Sequence, residues 1–196
     1  MSGNKIWVSE ASNVDSISGE TILGSLAANK EITYNTAEMF TGIIPGSISE
    51  TSTLCIAVGA LILILTKVAS WRIILSGIIG AAVMGMIFNA LNIEGNGLTN
   101  FPWYQHIIVG GFAFGIVFMA TDPVSGAQTT RGKWIYGFLI GLFGIMIRVF
   151  NPAYPEGIML SILLLNVFAP TIDHYVIQGN VKKRQKRLQM KTVKTA

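Results

Sequence analysis

Apolar and polar positions are mixed through residue 50, and Gly19, Gly24, Gly42, Pro45 and Gly46 interrupt any long helix there. A short helix over residues 20–29 is the one regular element this pattern supports. From residue 51 the polar positions thin out into five apolar runs, at about 52–68, 71–91, 104–120, 134–150 and 157–177. Each approaches the roughly 20 residues a helix needs to cross the hydrocarbon of a bilayer, so the pattern predicts five transmembrane helices. The breaks at 67–72, 92–102, 121–133 and 151–156 hold most of the charges and prolines; Arg148, Pro170 and Asp173 lie within runs. Trp71, Trp103, Tyr104, Trp134 and Tyr154 stand at run ends, where amphipathic rings favour the headgroup layer. Three segments result: a polar or interfacial segment over 1–50, a five-helix membrane domain over 51–178 and a basic tail over 179–196.

Composition agrees with the pattern. The chain of 196 residues is 51% hydrophobic and 12% charged, against about 25% charged in soluble domains, and its mean hydropathy is +0.55. The expected class is an all-α polytopic membrane protein. The formal charge of +4 arises in the tail, where Lys182, Lys183, Arg184, Lys186, Arg187, Lys191 and Lys194 supply half of the 14 basic residues; the remainder of the chain is net acidic. Nucleic-acid binders spread positive charge over a folded face, so a cluster behind an apolar run reads as a cytoplasmic flank next to membrane lipid, with no nucleic-acid partner. Lys67, Arg72, Arg131, Lys133 and the tail fall on one side, and the loop over 92–102 has no Lys or Arg. The positive-inside rule then places residues 1–50 outside and the tail in the cytoplasm. Cys55 is a single cysteine, so no disulfide framework forms within one chain.

Small residues recur every fourth position at Gly77, Ala81 and Gly85, at Gly111 and Gly115, and at Gly137 and Gly141, a spacing that lets helix backbones approach closely in lipid. After Glu94 only three acids remain, Asp122, Glu156 and Asp173. Asp173 lies about 22 Å along a helix from residue 158, three residues after Pro170, which can free carbonyl oxygens. It is a candidate ligand on a Na+ path, or an interfacial acid bonded to its neighbours. Asp122, before Pro123, either caps a turn or joins that path. Arg148 and Glu156 fall at the outer ends of the fourth and fifth runs, as a pair or as contacts for an anionic cofactor group and a cation. His106 and His174 have no second ligand at metal spacing, and no catalytic triad, phosphate loop or dinucleotide glycine pattern is present. Residues 15–21 read Asp-Ser-Ile-Ser-Gly-Glu-Thr, a helix start with Ser18 as N-cap and Thr21 three residues on.

The strings over residues 40–52 (Phe-Thr-Gly-Ile-Ile-Pro-Gly-Ser-Ile-Ser-Glu-Thr-Ser), 69–72 (Ala-Ser-Trp-Arg), 118–125 (Phe-Met-Ala-Thr-Asp-Pro-Val-Ser), 148–157 (Arg-Val-Phe-Asn-Pro-Ala-Tyr-Pro-Glu-Gly) and 168–174 (Phe-Ala-Pro-Thr-Ile-Asp-His) occur in that order. Together they resemble the NqrB/RnfD family, the NqrB subunits of Na+-translocating NADH:quinone oxidoreductases and the RnfD subunits of Rnf complexes. The resemblance runs from about residue 14 to 188. It implies FMN joined through its phosphate to a threonine, in a motif usually reading Asp-Gly-x-Ser-Gly-Ala-Thr. Asp15, Ser18, Gly19 and Thr21 match, whereas Ser16 and Glu20 replace the glycine and alanine, so Thr21 is the implied attachment site. The flavin transferase of such systems works outside the cytoplasm, the side to which loop charges assign Thr21.

The resemblance covers the second half of a full-length member, which is about twice as long and built as two inverted, urea-transporter-like halves. The first half would supply part of a riboflavin site and most quinone contacts. The implied role is that of an inner-membrane electron-transfer subunit, carrying electrons through FMN toward riboflavin and ubiquinone, coupled to Na+ translocation, with the other oxidoreductase subunits as partners. An Rnf-type subunit, with ferredoxin and NAD, and a flavin-free solute channel on the same fold are the alternatives.

Overall fold

The computed structural model describes residues 21–30, 32, 34–47, 50–91, 97–151 and 156–195, and every regular element in them is helical. Two short helices come first. In α1 (Ile22–Ala27) the extended Thr21 is the N-cap, its Oγ1 accepting from Gly24 N at 3.1 Å, and Ile22, Leu23 and Leu26 are buried. This corrects the expected start at residue 20. A threonine oxygen satisfies a free amide three residues ahead, so Thr21 is itself the cap, while Ser18 and Gly19 lie outside the described residues. Helix α2 (Thr36–Thr41) opens with the Glu38 carboxylate accepting from Asn35 N and ends at Gly42, whose φ of 88° favours glycine.

The five expected spans resolve differently. Helices α4 (Trp71–Leu91), α7 (Thr130–Phe150) and α8 (Ile158–Thr195) include stretches long and apolar enough to cross a membrane. Helix α3 (Thr53–Leu65) has 13 residues, shorter than expected. It stops where Thr66 turns its hydroxyl back to Ile62 O, and Lys67 follows at a φ of 61°. The third apolar run is broken. Helix α5 (Trp103–Ile108) ends at an extended Val109, Gly110 and Gly111 take φ values of 71° and 61°, and the chain resumes as α6 (Phe112–Phe114) and a π-helical turn over Gly115–Met119. Two consecutive left-handed residues cannot continue a right-handed ladder, however apolar the sequence around them.

A last difference concerns Pro170 and the tail. Pro170 sits within α8 on an exposed flank without ending the helix, and the basic tail continues the same helix to Thr195.

Helices α4 and α7 form the most extensive pair, and the small-residue spacing explains it. A Cβ on Gly141 would run into the Gly77 carbonyl, and one on Gly80 into the Phe138 carbonyl. Helix α8 is stitched to α7 by Ser161 Oγ donating to Ile140 O at 2.8 Å and by Tyr136 OH donating to Asn166 Oδ1. The outer faces carry Leu61, Ile62 and Leu65 on α3 and Leu163, Val167 and Phe168 on α8, all exposed. Such contiguous apolar surface suits hydrocarbon rather than water.

Candidate functional site

Thr21 opens onto a small cleft. Its walls are Ile44, Pro45 and Gly46 after α2, Glu50 and Thr51 before α3, the Gly110–Gly111 break, and Glu156 before α8. The cleft holds about 20 Å³, room for roughly one water. The glycine pair is what lets the acids approach: a Cβ on Gly110 would stand 2.8 Å from Glu156 Oε2, and one on Gly111 would stand 2.5 Å from Glu50 Oε2. Burial pushes the Glu156 carboxyl above its ordinary range; the Arg148 charge opposes that push and Glu50 adds to it.

Arg148 lies behind the same break and is fully buried. Its Nη1 donates to His106 O at 2.8 Å, and its Nη2 to Val109 O at 3.2 Å and Gly110 O at 3.1 Å. Thr53 Oγ1 donates to Ile108 O at 3.0 Å. The carbonyls left over where α5 stops thus receive side-chain donors, which is how non-helical backbone is tolerated inside a membrane domain. Arg148 therefore reaches the Thr21 cleft as the support of its floor. Glu156, the partner expected from sequence, couples to Arg148 through charge, while the guanidinium gives its hydrogen bonds to carbonyls.

The other two acids sit at the basic end. Asp122 Oδ2 accepts from Ser125 N at 3.0 Å and Ser125 Oγ at 2.8 Å, the turn-capping arrangement, and those hydrogen bonds hold the carboxyl of this half-buried residue below its ordinary range. Asp173 clamps α8 to the start of α7: Oδ2 accepts from Gln128 N at 2.6 Å, and Oδ1 accepts from Thr129 N at 3.1 Å and from Thr129 Oγ1. Thr129 in turn caps α7 by accepting from Gly132 N. Among the described residues no three His, Cys, Asp or Glu side chains gather to hold a metal ion. Asp122 and Asp173 are thus separate from Glu156, which belongs with the Thr21 cleft.

Sequence reasoning passed over three contributors. Glu50 gave no signal beyond its place in a matched string. Gly111, read with Gly115 as a close-packing stripe, instead forms a left-handed break with Gly110, and two adjacent glycines within an apolar run are the signal that could have shown it. Asn89, inside α4, donates from Nδ2 to Thr99 O and Phe101 O, both at 2.8 Å, and accepts from Trp103 N, so it seats the start of α5.

Comparison with known proteins matches residues 1–182 to the model of the NQR2, RnfD, RnfE family. Three similar relatives each carry the name of the B-type subunit of a Na(+)-translocating NADH-quinone reductase. The chain is 49% identical to that of Chromohalobacter salexigens over 95% of its length and 46% of the relative's. The corresponding figures are 49%, 95% and 47% for Ectopseudomonas mendocina and 47%, 95% and 47% for Pseudomonas aeruginosa. The chain thus spans about half the length of the curated relatives it matches. With the motif order, the helical membrane architecture and these identities together, the chain belongs to the NQR2, RnfD, RnfE family.

Proposed function

We propose that this chain is part of an electron-transfer membrane subunit of a Na+-translocating NADH:quinone reductase, and that Thr21 carries FMN as a phosphoester. The observation that carries the reading is the state of the Thr21 hydroxyl. Its oxygen accepts the Gly24 N–H, and among the described residues its proton has no acceptor. Esterification replaces that proton and leaves the oxygen in its capping position. The cleft behind Thr21 has room for about one water, so the ring system of an attached flavin lies outside it, over the adjoining surface. The carboxylates of Glu50 and Glu156 disfavour a phosphate drawn inward, and the Arg148 charge behind Gly110 offsets part of that effect. When bound, FMN supplies one- and two-electron chemistry; the protein contributes placement and electrostatics.

The relatives' printed name supports an assembly that handles NADH, quinone and Na+. The other oxidoreductase subunits are the proposed partners, with a flavin transferase acting on Thr21. Part of a riboflavin site, shared with this chain, and most quinone contacts are assigned to the part of the relatives this chain does not cover. Asp173, whose two oxygens retain a free acceptor position beyond the three hydrogen bonds described, is the proposed contact of this chain with the Na+ path.

The test separates capping from attachment. Thr21→Ser keeps both a capping oxygen and an esterifiable hydroxyl; Thr21→Asn keeps the cap but offers no hydroxyl. Coexpressed with a flavin transferase, wild type and Thr21→Ser are expected to give fluorescent bands in a denaturing gel. Their Thr21 peptides should be heavier by FMN less water, and Thr21→Asn should be dark yet folded. Fluorescence that persists in Thr21→Asn, or a dark wild type with active transferase, overturns the assignment and favours the flavin-free solute channel.

A further inference from the structure

The basic end of the bundle carries a groove that the electron-transfer reading does not use. It measures about 520 Å³ and is lined by Arg131 of α7 and by Ile177, Asn180, Val181, Lys183, Arg184 and Arg187 of α8. Four of those seven residues are cationic and none is acidic. We propose that Arg131, Lys183, Arg184 and Arg187 form a cradle for the headgroup of an anionic phospholipid.

Three features of the geometry point to a built surface rather than a diffuse positive tail. The first is helical register: residues 177, 180, 184 and 187 step by three and four and so share one face, while Lys182 and Lys186 stand about 160° around the helix from Arg184. The second is side-chain direction. Cα–Cβ bonds tilt toward a helix's N-terminus, and α7 and α8 run in opposite senses, so Arg131 leans out of the bundle and the α8 cations lean back toward it. The third is the Asp173 clamp, which fixes α8 against the first turn of α7 just before the groove begins.

The position of the groove selects lipid as the occupant. Trp134, one turn inside Arg131, meets Trp71 edge-on with ring centroids 5.8 Å apart, and the Arg72 guanidinium lies 5.2 Å from the Trp71 centroid. Tryptophan and arginine in this arrangement mark the boundary of hydrocarbon and headgroups, and the groove opens immediately beyond it. Ile177 and Val181 add an apolar floor suited to a glycerol backbone, and basic pockets beside transmembrane helices attract acidic headgroups. The inference holds for whichever leaflet faces this end.

The experiment uses the full chain in phosphatidylcholine vesicles doped with brominated phosphatidylglycerol, whose bromines quench the nearby Trp71 and Trp134. Brominated phosphatidylcholine in parallel vesicles gives the reference. Wild type is expected to bind phosphatidylglycerol several-fold better than phosphatidylcholine. The Arg184→Gln/Arg187→Gln pair should lower that preference at least threefold. The Lys182→Gln/Lys186→Gln pair, with the same change in charge on the opposite face, should leave it intact, and both pairs should melt as wild type does. Equal loss from the two pairs, no preference in wild type, or a preference abolished by millimolar inorganic phosphate would each overturn the proposal. So would an acidic protein partner lost by the arginine pair with the quenching unchanged.

Discussion

Glu156 shows how much one position can depend on a fold that its neighbours in sequence do not describe. From the chain alone it is an acid beside two prolines. In the structure it stands against Gly110 with Glu50 and Arg148 acting on it from other elements. Because its carboxyl titrates above the ordinary range, the folded state binds a proton that the unfolded state has already released. The stabilisation is complete below the unfolded pKa and is lost as pH rises through the folded one. We expect the melting temperature of the purified chain in detergent to fall as pH rises above the ordinary carboxylate range, and Glu156→Gln to flatten that part of the curve. A Gln variant whose profile follows wild type would place the titration elsewhere. Asp122 was the easier reading, since an acid before proline already suggested the turn that Ser125 closes.

At the scale of elements, apolar periodicity located the helices but not their continuity. The small-residue spacing of α4 and α7 anticipated their close crossing because that signal is steric and local. The break in the third run depends on a buried arginine donating to its carbonyls, a contact 38 to 42 residues distant that no local pattern encodes. Asp173 is similar: an acid bonded to its neighbours was one of its two readings, whereas its donors come from the loop before α7, 44 and 45 residues away. This clamp and the proposed Na+ contact can be separated. Asp173→Ala leaves the Gln128 and Thr129 groups without their acceptor, at a cost of about 1–3 kcal/mol, and is expected to lower the melting temperature by a few degrees. Asp173→Asn keeps one acceptor oxygen for Thr129, turns an NH2 donor toward the Gln128 N–H and removes the charge. It should melt between wild type and the Ala variant while raising the Na+ concentration for half-maximal quinone reduction in the complete complex. An unchanged melting temperature in the Ala variant argues against the clamp. An unchanged Na+ requirement in the Asn variant takes Asp173 off the ion path.

For the molecule as a whole, the asymmetry of charge is the most legible property. The Thr21 cleft, Glu50, Glu156 and the α5 break gather at one end of the bundle; Arg72, Arg131, Lys133 and the extended α8 gather at the other. That polarity follows from chemistry readable in the loops, since lysine and arginine beside spans are retained in the cytoplasm. The helical tail was not legible in the same way: Gly179 and Asn180, residues that commonly end a helix, stand between the last apolar turn and the lysines, and α8 runs through them as it runs through Pro170. The two ends should therefore be distinguishable in intact cells. With exposed Cys55 on α3 replaced by serine, single cysteines at Asn13 and Gln189 are expected to report opposite faces. An impermeant maleimide given access to the periplasm should label position 13 and reach position 189 only after the membrane is opened. Labelling of 189 alone in intact cells would reverse the orientation, and with it the placement of Thr21 on the side where a flavin transferase works.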